Sequence, residues 1–203
     1  MKPEYIIVHH TAVSREKNAH QLNATNNSHR DRGFPRSSTG FWVGYHYLID
    51  PAGELYHPRE DNEVGAHCKE DSMNYKSLGV SLTGNFDIEL PTEKQLTTLA
   101  SLITALRIKY NIPRDRVKFH RDYASYKSCP GTNFTRELLE KNMPMKELVR
   151  DKDTGQHFFV KNGTEGKQRV DTIDGLLTVL GREFGVRNLD KSSLQKIPDK
   201  RYF

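Results

Sequence analysis

The stretch Tyr5-Ile6-Ile7-Val8-His9-His10-Thr11-Ala12 decides the fold. Its first residues are aromatic or β-branched without a polar alternation, which predicts a strand buried on both faces of a sheet. The Thr-Ala-Val-Ser at 11–14 is typical of an exit into a loop. His9 therefore lies at a strand end, where α/β proteins gather their functional side chains.

Strand and helix patterns alternate along the following residues. Thr92 and Gln95 form a capping-box pattern ahead of leucines and an isoleucine spaced for one helical face, and this helix ends near Tyr110. Alternating strands and helices indicate an α/β fold. The other predicted elements are a helix over 18–32, strands over 42–49, 54–57, 77–84 and 117–120, and a turn at 50–53.

The length of 203 residues suits one domain of about 140 to 150 residues with a small appendage. We place the first domain at 1–145 and a small α+β C-terminal module at 146–203. The module is predicted to contain strands at 158–161 and 168–171 and a helix at 172–183.

Composition excludes several classes of protein. No stretch approaches the roughly 18 consecutive apolar residues of a transmembrane helix, and the N-terminus has no signal-peptide pattern, so we expect synthesis in the cytoplasm. The net charge of +5 is mild and dispersed. No basic-aromatic stripe or nucleic-acid-binding motif is present, so nucleic acid is not an expected partner.

Two histidines and a cysteine have the chemistry of a metal site. His120 ends the strand over 117–120, and Cys129 follows it across a loop. Zinc prefers imidazole and thiolate ligands, and a catalytic zinc has three protein ligands and one water. The first strand supplies the remaining ligand, but adjacent strand residues face opposite ways, so either His9 or His10 can be the one that faces the metal.

The two cysteines are interpreted differently. Cys129 lies two residues after Lys127, whose positive charge is expected to stabilise a thiolate. Cys68 is interpreted as a buried structural thiol. Both are expected to be reduced, because the chain shows no secretory context.

Five motifs occur together and in one order. They are His9-His10-Thr11-Ala12, Val43-Gly44-Tyr45-His46-Tyr47-Leu48-Ile49-Asp50, Gly65-Ala66-His67, Ser77-Leu78-Gly79-Val80 and His120-Arg121-Asp122. Together these motifs resemble the type 2 N-acetylmuramoyl-L-alanine amidases, a family that includes phage amidase-lysozymes and the animal peptidoglycan recognition proteins. The resemblance covers about residues 5 to 142 and implies a central mixed β-sheet flanked by helices.

The resemblance implies roles for individual residues. It selects His9, with His120 and Cys129, as ligands of one Zn²⁺. Tyr45 matches the tyrosine near the metal-bound water, and Lys127 matches the lysine of phage members. The loop between His120 and Cys129 is one residue longer than the family pattern, and this departure falls on the segment that carries Tyr126 and Lys127.

Further residues lie in segments that resemble the family's substrate groove. Asp122 is expected to fix a ligand imidazole through a hydrogen bond. The candidates for hydrogen bonds to the stem peptide or glycan are His46, His67, Asn74 and Ser77.

The implied function is hydrolysis of the amide bond between N-acetylmuramic acid and L-alanine in peptidoglycan, by a monomeric phage or prophage endolysin. Such an enzyme reaches the wall after holin-type release, and the module at 146–203 is expected to bind the wall. Two alternatives stay open: a peptidoglycan-binding protein without activity, and a cytoplasmic amidase that recycles muropeptides. Lys127 is expected to stabilise the oxyanion, and Tyr45 to orient or deprotonate the attacking water and to assist proton transfer to the leaving amine.

Overall fold

The computed structural model describes residues 1–15 and 21–143, and three strands beyond them. The helices are α1 (Gln21–Asp31), α2 (Glu93–Tyr110) and α3 (Arg136–Asn142). The strands are β1 (Tyr5–His10), β2 (Tyr47–Ile49), β3 (Leu55–Tyr56), β4 (Ser77–Leu82), β5 (Val117–Phe119), β6 (Lys146–Arg150), β7 (His157–Lys161) and β8 (Lys167–Val170).

Five strands form a mixed sheet in the order β3-β2-β4-β1-β5. β1 pairs in parallel with both β4 and β5, and β2 pairs in parallel with β4 and antiparallel with β3. The predicted α/β fold with a central mixed sheet is confirmed. Since β1, β4 and β5 run in the same direction, their carboxyl ends meet at one edge of the sheet.

Helix α2 covers one face of this sheet. Its predicted capping box is present: the Gln95 backbone N–H donates to Thr92 Oγ1 at 3.1 Å, and Thr92 N–H donates to Gln95 Oε1 at 3.1 Å. On the other face, Ile7 of β1 packs with Cys68 and Met73. The apolar cluster between sheet and helix includes Ile6, Val8, Leu78, Val80, Leu82, Leu96, Leu99, Leu102, Ile103 and Leu106.

The predicted strand over 42–49 is shorter in the structure, because β2 begins only at Tyr47. The backbone of Gly44, three residues before β2, bonds to groups outside the sheet. Gly44 N–H donates to His29 Nδ1 at 3.0 Å, and Gly44 C=O accepts from Ala66 N–H at 2.9 Å. This irregular stretch carries Tyr45, which is therefore presented from a loop.

The C-terminal third differs from the prediction in part. Helix α3 and strand β6 were not predicted; α3 begins after Thr135, whose side chain accepts from Leu138 N–H at 3.1 Å. Strands β7 and β8 match the predicted strands to within one residue, and β6, β7 and β8 form an antiparallel sheet. The helix predicted at 172–183 lies outside the described residues. Among the described helices, none is both long and apolar enough to cross a bilayer.

Candidate metal centre and active-site cleft

The sheet register brings the first two predicted ligands together. Val8 of β1 pairs with Phe119 of β5 in the last register position of this pairing, so the next residues, His9 and His120, lie side by side. Their Nδ1 atoms are 3.1 Å apart, and both side chains are buried, with residue exposures of 1% and 5%.

Cys129 completes the group from a loop. Its Sγ lies 3.6 Å from His9 Nδ1. Arg121 holds this loop: its backbone N–H donates to Cys129 C=O at 2.8 Å, and its guanidinium donates to the carbonyls of Ser128 and Gly131. The ligand atoms of His9, His120 and Cys129 all lie within 4.8 Å of one another. The three predicted metal ligands therefore converge at one point.

The alternation of β1 resolves the choice that the sequence left open. His9 points to the same face as Ile7, where the other two ligands lie, whereas His10 points toward Phe86 on the α2 face. His10 Nδ1 accepts from Phe86 N–H at 3.1 Å, so this imidazole is used in the core.

His67 supports His9. His67 Nδ1 lies 3.1 Å from His9 Nε2, and His67 Nε2 lies 3.4 Å from the backbone carbonyl of Ser77. A carbonyl only accepts, so His67 carries its proton on Nε2, and its Nδ1 accepts the Nε2 proton of His9. This chain leaves His9 Nδ1 with a lone pair that faces His120 and Cys129. His67 was predicted as a substrate contact; the structure places it against a predicted ligand as well as in the cleft wall.

A glycine leaves space for His67. The ring lies over Gly79 in the middle of β4, where an added Cβ would come within 2.6 Å of the imidazole carbons. A glycine in a strand interior often marks such a close approach. The Ser-Leu-Gly-Val motif therefore contributes to the site because its glycine, Gly79, has no side chain that would collide with His67.

Other predicted substrate contacts are used by the fold. His46 is fully buried, its Nδ1 accepts from Gly79 N–H, and its Nε2 donates to Glu63 C=O. Ser77 is also fully buried, and its hydroxyl donates to Met73 C=O. Asn74 Oδ1 accepts from the N–H groups of His67 and Cys68, so it holds the loop that carries His67. Both ring nitrogens of His46 have hydrogen-bond partners within the protein, so neither is free for the predicted hydrogen bond to substrate.

The carboxylate that faces His120 is also not the predicted one. Asp122 Oδ2 accepts from Phe119 N–H at 2.8 Å and from Arg136 at 2.7 Å, which stabilises the turn after β5. Glu70 Oε2 instead lies 3.7 Å from His120 Nε2. Glu70 is fifty residues from His120 in a loop without a motif, so the sequence carries no signal for this contact.

Burial keeps the two candidate ligand imidazoles neutral. Desolvation, and then the charge of Lys127, lower the pKa of His120 to about 4. Desolvation also holds the pKa of His9 well below its usual value, with His67 and His120 adding to the effect. Neutral imidazoles offer lone pairs, which is the form that binds a metal.

Burial also dominates at the thiol. It raises the pKa of Cys129 to about 11, although Lys127 and Arg121 pull in the opposite direction. The prediction that Lys127 favours the thiolate therefore identified an effect of the correct sign that is smaller than the desolvation. A cation bound to the sulfur stabilises the thiolate, so the thiol loses its proton when it coordinates a metal.

The donor set fits zinc. Zinc held tetrahedrally at about 2.0 to 2.3 Å separates two nitrogen ligands by about 3.3 Å and a nitrogen from a sulfur by about 3.6 Å. The observed separations are 3.1 Å between the two Nδ1 atoms and 3.6 Å between Sγ and His9 Nδ1.

The three candidate ligands lie beside an open cleft of about 520 Å³. Tyr45 lies in its wall, with its ring centroid 5.2 Å from that of His9. Lys127 is exposed on the same cleft. The predicted catalytic pair thus lines the same cleft as the candidate ligands His120 and Cys129. The lining residues also include His10, Ala24, Ser28, His29, Arg32, Phe34, Asp87, Tyr126 and Ser128.

The sheet order and the His₂Cys group at the carboxyl edge of its strands define an α/β protein with a candidate metal site that opens on a cleft. The chain belongs to the N-acetylmuramoyl-L-alanine amidase family, whose model matches residues 1–132. This match confirms the resemblance inferred from the five motifs.

Similar proteins come from phages, bacteria and animals. The endolysin of Enterobacteria phage T3 is 31% identical over 144 residues, which is 68% of this chain and 87% of the endolysin. The amidase LysC from Clostridium intestinale aligns with a TM-score of 0.58 and 32% identity over 70% of this chain and 85% of its own. A Drosophila PGRP-LB variant in complex with tracheal cytotoxin aligns with a TM-score of 0.55 and 25% identity over 68% of this chain and 81% of its own.

Proposed function

We propose that this protein is a zinc-dependent N-acetylmuramoyl-L-alanine amidase that hydrolyses the bond between N-acetylmuramic acid and the L-alanine of the stem peptide. The observation that carries the proposal is the convergence of His9, His120 and Cys129 on one point beside an open cleft. A binding protein without activity has no chemical need for a complete ligand set that includes a thiol.

The metal has a defined task in this reaction. When bound by His9, His120 and Cys129, zinc supplies a Lewis acid that polarises the scissile carbonyl and lowers the pKa of water to roughly 7. The protein keeps the two imidazoles neutral through burial, and the His67–Ser77 chain aims the Nδ1 lone pair of His9 at the metal position.

Tyr45 stays protonated at neutral pH. Burial, and then the nearby Cys129, raise the pKa of its phenol well above the usual value. A neutral phenol at pH 7 donates a hydrogen bond from Oη, so Tyr45 orients the water or the leaving amine as a donor rather than as a base. Of the two roles predicted for Tyr45 toward the attacking water, the proposal therefore keeps orientation and drops deprotonation.

Lys127 stabilises negative charge. Its ammonium is exposed on the cleft, and its charge reaches the site, because it lowers the pKa of His120 and of Cys129. A fixed cation beside the scissile carbonyl stabilises the oxyanion of the tetrahedral intermediate more than the neutral substrate.

The biological role that we propose is that of a phage or prophage endolysin with an amidase domain at 1–145 and a wall-binding module at 146–203. Similarity to the T3 endolysin over most of its length supports this role. An endolysin digests intact sacculi, whereas a recycling amidase prefers soluble muropeptides. The relative rates on these two substrates separate the two roles.

Mass spectrometry of digested sacculi tests the reaction directly. We expect new L-alanine amino termini, and we expect their release to stop when a chelator removes the metal and to resume when zinc is added. The Cys129→Ala variant is the matched control, since it keeps the cleft but lacks one ligand. New reducing sugar ends in place of amino termini would assign a glycosidase and overturn the proposal.

A further inference from the structure

Glu70 occupies a position that the reaction described above does not use. It begins a 3₁₀ segment, Glu70–Tyr75, directly after the loop that carries His67 and Cys68. The two residues after it, Asp71 and Ser72, have left-handed backbone with φ of 50° and 57°, so the chain turns sharply at this point. The Glu70 side chain is 16% exposed and faces the interior of the site.

Both oxygens of Glu70 are engaged. Oε1 accepts from the Tyr126 hydroxyl at 2.5 Å. Oε2 lies 3.6 Å from Cys68 Sγ and 3.7 Å from His120 Nε2. Tyr126 belongs to the loop between His120 and Cys129, so Glu70 connects two loops that form the site.

The outer nitrogen of His120 has no hydrogen-bond partner among the described residues, although it is buried. A buried N–H without a partner is destabilising. A separation of 3.7 Å is too short for a bridging water, which needs a hydrogen-bond length on each side. The Glu70 carboxylate therefore faces this nitrogen directly.

We propose that Glu70 is a positioning residue that holds the proton of His120 on Nε2 and so directs the Nδ1 lone pair to the metal. An ionised carboxylate only accepts, so the contact is favourable only when Nε2 carries the hydrogen. Metal-binding histidines commonly donate their second N–H to a carboxylate or a carbonyl. The inference rests on the proposed function, because it assigns His120 as a metal ligand.

The two histidines are then oriented by different means. His9 is oriented by neutral groups, the His67 imidazole and the Ser77 carbonyl. His120 is oriented by an anion, which also makes a bound imidazole a stronger donor. The Cys68 thiol donates a hydrogen bond to Glu70. Burial and the charge of Glu70 raise the pKa of Cys68 to about 12, so it stays a thiol.

Three variants test the proposal. Glu70→Ala removes the acceptor, Glu70→Gln keeps a neutral oxygen, and Asp71→Asn changes the exposed neighbouring carboxylate. Competition with a chromophoric chelator measures the dissociation constant for zinc. We expect Glu70→Ala to weaken zinc binding about 10- to 100-fold, Glu70→Gln to restore part of the affinity, and Asp71→Asn to match the wild type.

Tyr126→Phe provides a milder arm at an exposed residue. It removes the hydrogen bond that anchors Glu70 without changing the buried site. We expect zinc binding to weaken by up to about 10-fold. Wild-type affinity in Glu70→Ala, measured on a variant that keeps the wild-type circular dichroism spectrum, would overturn the proposal.

Nitrogen-15 NMR of the histidines tests the same point without metal. We expect the metal-free wild type to carry the His120 proton on Nε2, and Glu70→Ala to populate the Nδ1 form. An unchanged tautomer in Glu70→Ala would contradict the proposal, even for a chain that binds no zinc. Failure of the wild type to bind zinc defeats the proposed function instead. Two zinc ions per wild-type chain, with one lost in Glu70→Ala, would make Glu70 a ligand and also overturn the positioning role.

Discussion

Two buried polar clusters lie in this domain, and they are satisfied in opposite ways. Around Asp61, which is 6% exposed, the carboxylate accepts from Lys109 Nζ at 2.7 Å and from the hydroxyls of Tyr47 and Tyr110 at 2.6 Å each. The candidate metal centre instead contains neutral groups whose lone pairs face one another. The Asp61 carboxylate has its donors within the chain, whereas we propose that the candidate metal centre takes a cation.

The pKa shifts express the same difference. At Asp61, desolvation raises the pKa, but nearby His57, the charge of Lys109 and the hydrogen bonds from Lys109 and Tyr110 outweigh it, so the carboxyl pKa lies well below its usual range. At His120, desolvation and Lys127 prevail over the opposing effect of Glu70, and the pKa falls to about 4. A buried cluster whose charges are balanced internally stabilises a fold, whereas an unbalanced cluster of lone pairs binds a ligand.

Replacing a metal ligand has the largest expected effect. Cys129→Ala leaves two imidazoles, so we expect hydrolysis to fall below detection and zinc affinity to fall by more than the roughly 100-fold seen for supporting residues. Equilibrium dialysis and the amino-terminus assay measure both. Cys68→Ala is the control, and it should retain one zinc ion per chain. One zinc ion bound per Cys129→Ala chain, with wild-type affinity, would show that Cys129 is not a metal ligand and would contradict the proposed difference between the two clusters.

Breaking the Asp61 cluster affects stability instead of chemistry. Asp61→Asn leaves Lys109 buried without its anion, and we expect the free energy of unfolding to fall by about 3 to 5 kcal/mol. The rate per folded molecule should stay at the wild-type level. Urea denaturation and the hydrolysis assay, run on one preparation, check the two halves of this expectation. A loss of turnover in the folded variant would show that the clusters are coupled.

The same variant has a pH signature. The native pKa of Asp61 is depressed, so its stabilisation is complete above the unfolded value of about 3.9 and is lost as the pH falls toward the native value. The wild type should therefore lose stability below about pH 4 more steeply than Asp61→Asn. Denaturation midpoints at a series of pH values measure this difference, and parallel curves would contradict it.

Lys127→Ala should affect the reaction at the candidate metal centre and leave the Asp61 cluster unchanged. We expect turnover to fall by about 10²- to 10³-fold with thermal stability unchanged, because the ammonium stabilises charge that develops only during the reaction. Steady-state kinetics and thermal melts separate these quantities. Lys69→Ala, at an exposed lysine outside the cleft lining, is the matched control. Unchanged turnover in Lys127→Ala would remove this residue from the mechanism.

Metal removal has a smaller expected effect on stability than the loss of Asp61. Zinc at 100 times its dissociation constant should stabilise the native state by about 2.7 kcal/mol, which raises Tm by about 5 to 10 °C for a chain of this size. Melting curves with zinc and with chelator measure the shift. Cys129→Ala should show no shift, and Asp61→Asn should keep the full shift from its lower starting point.

The strands that bear the ligands were predictable because their signals are local. The β-branched run of β1, the capping box of α2 and the five motifs each lie within a few residues of one another. The part of the site that escaped prediction depends on long-range contacts. The support of His9 by His67 and the approach of Glu70 to His120 join residues that are about fifty or more positions apart, and no periodicity records such a distance.

The sequence by itself therefore determined the family and the α/β fold, and it predicted the three metal-ligand candidates and the candidate catalytic pair of Tyr45 and Lys127, because apolar patterns, capping and motif order are properties of neighbouring residues. Only the tertiary structure decided that His46 and Ser77 serve the core, that Asp122 holds a turn, and that Glu70 faces His120. The physical reason is that burial and hydrogen-bond partners are set by packing. Packing decides which of several similar side chains keeps a free lone pair.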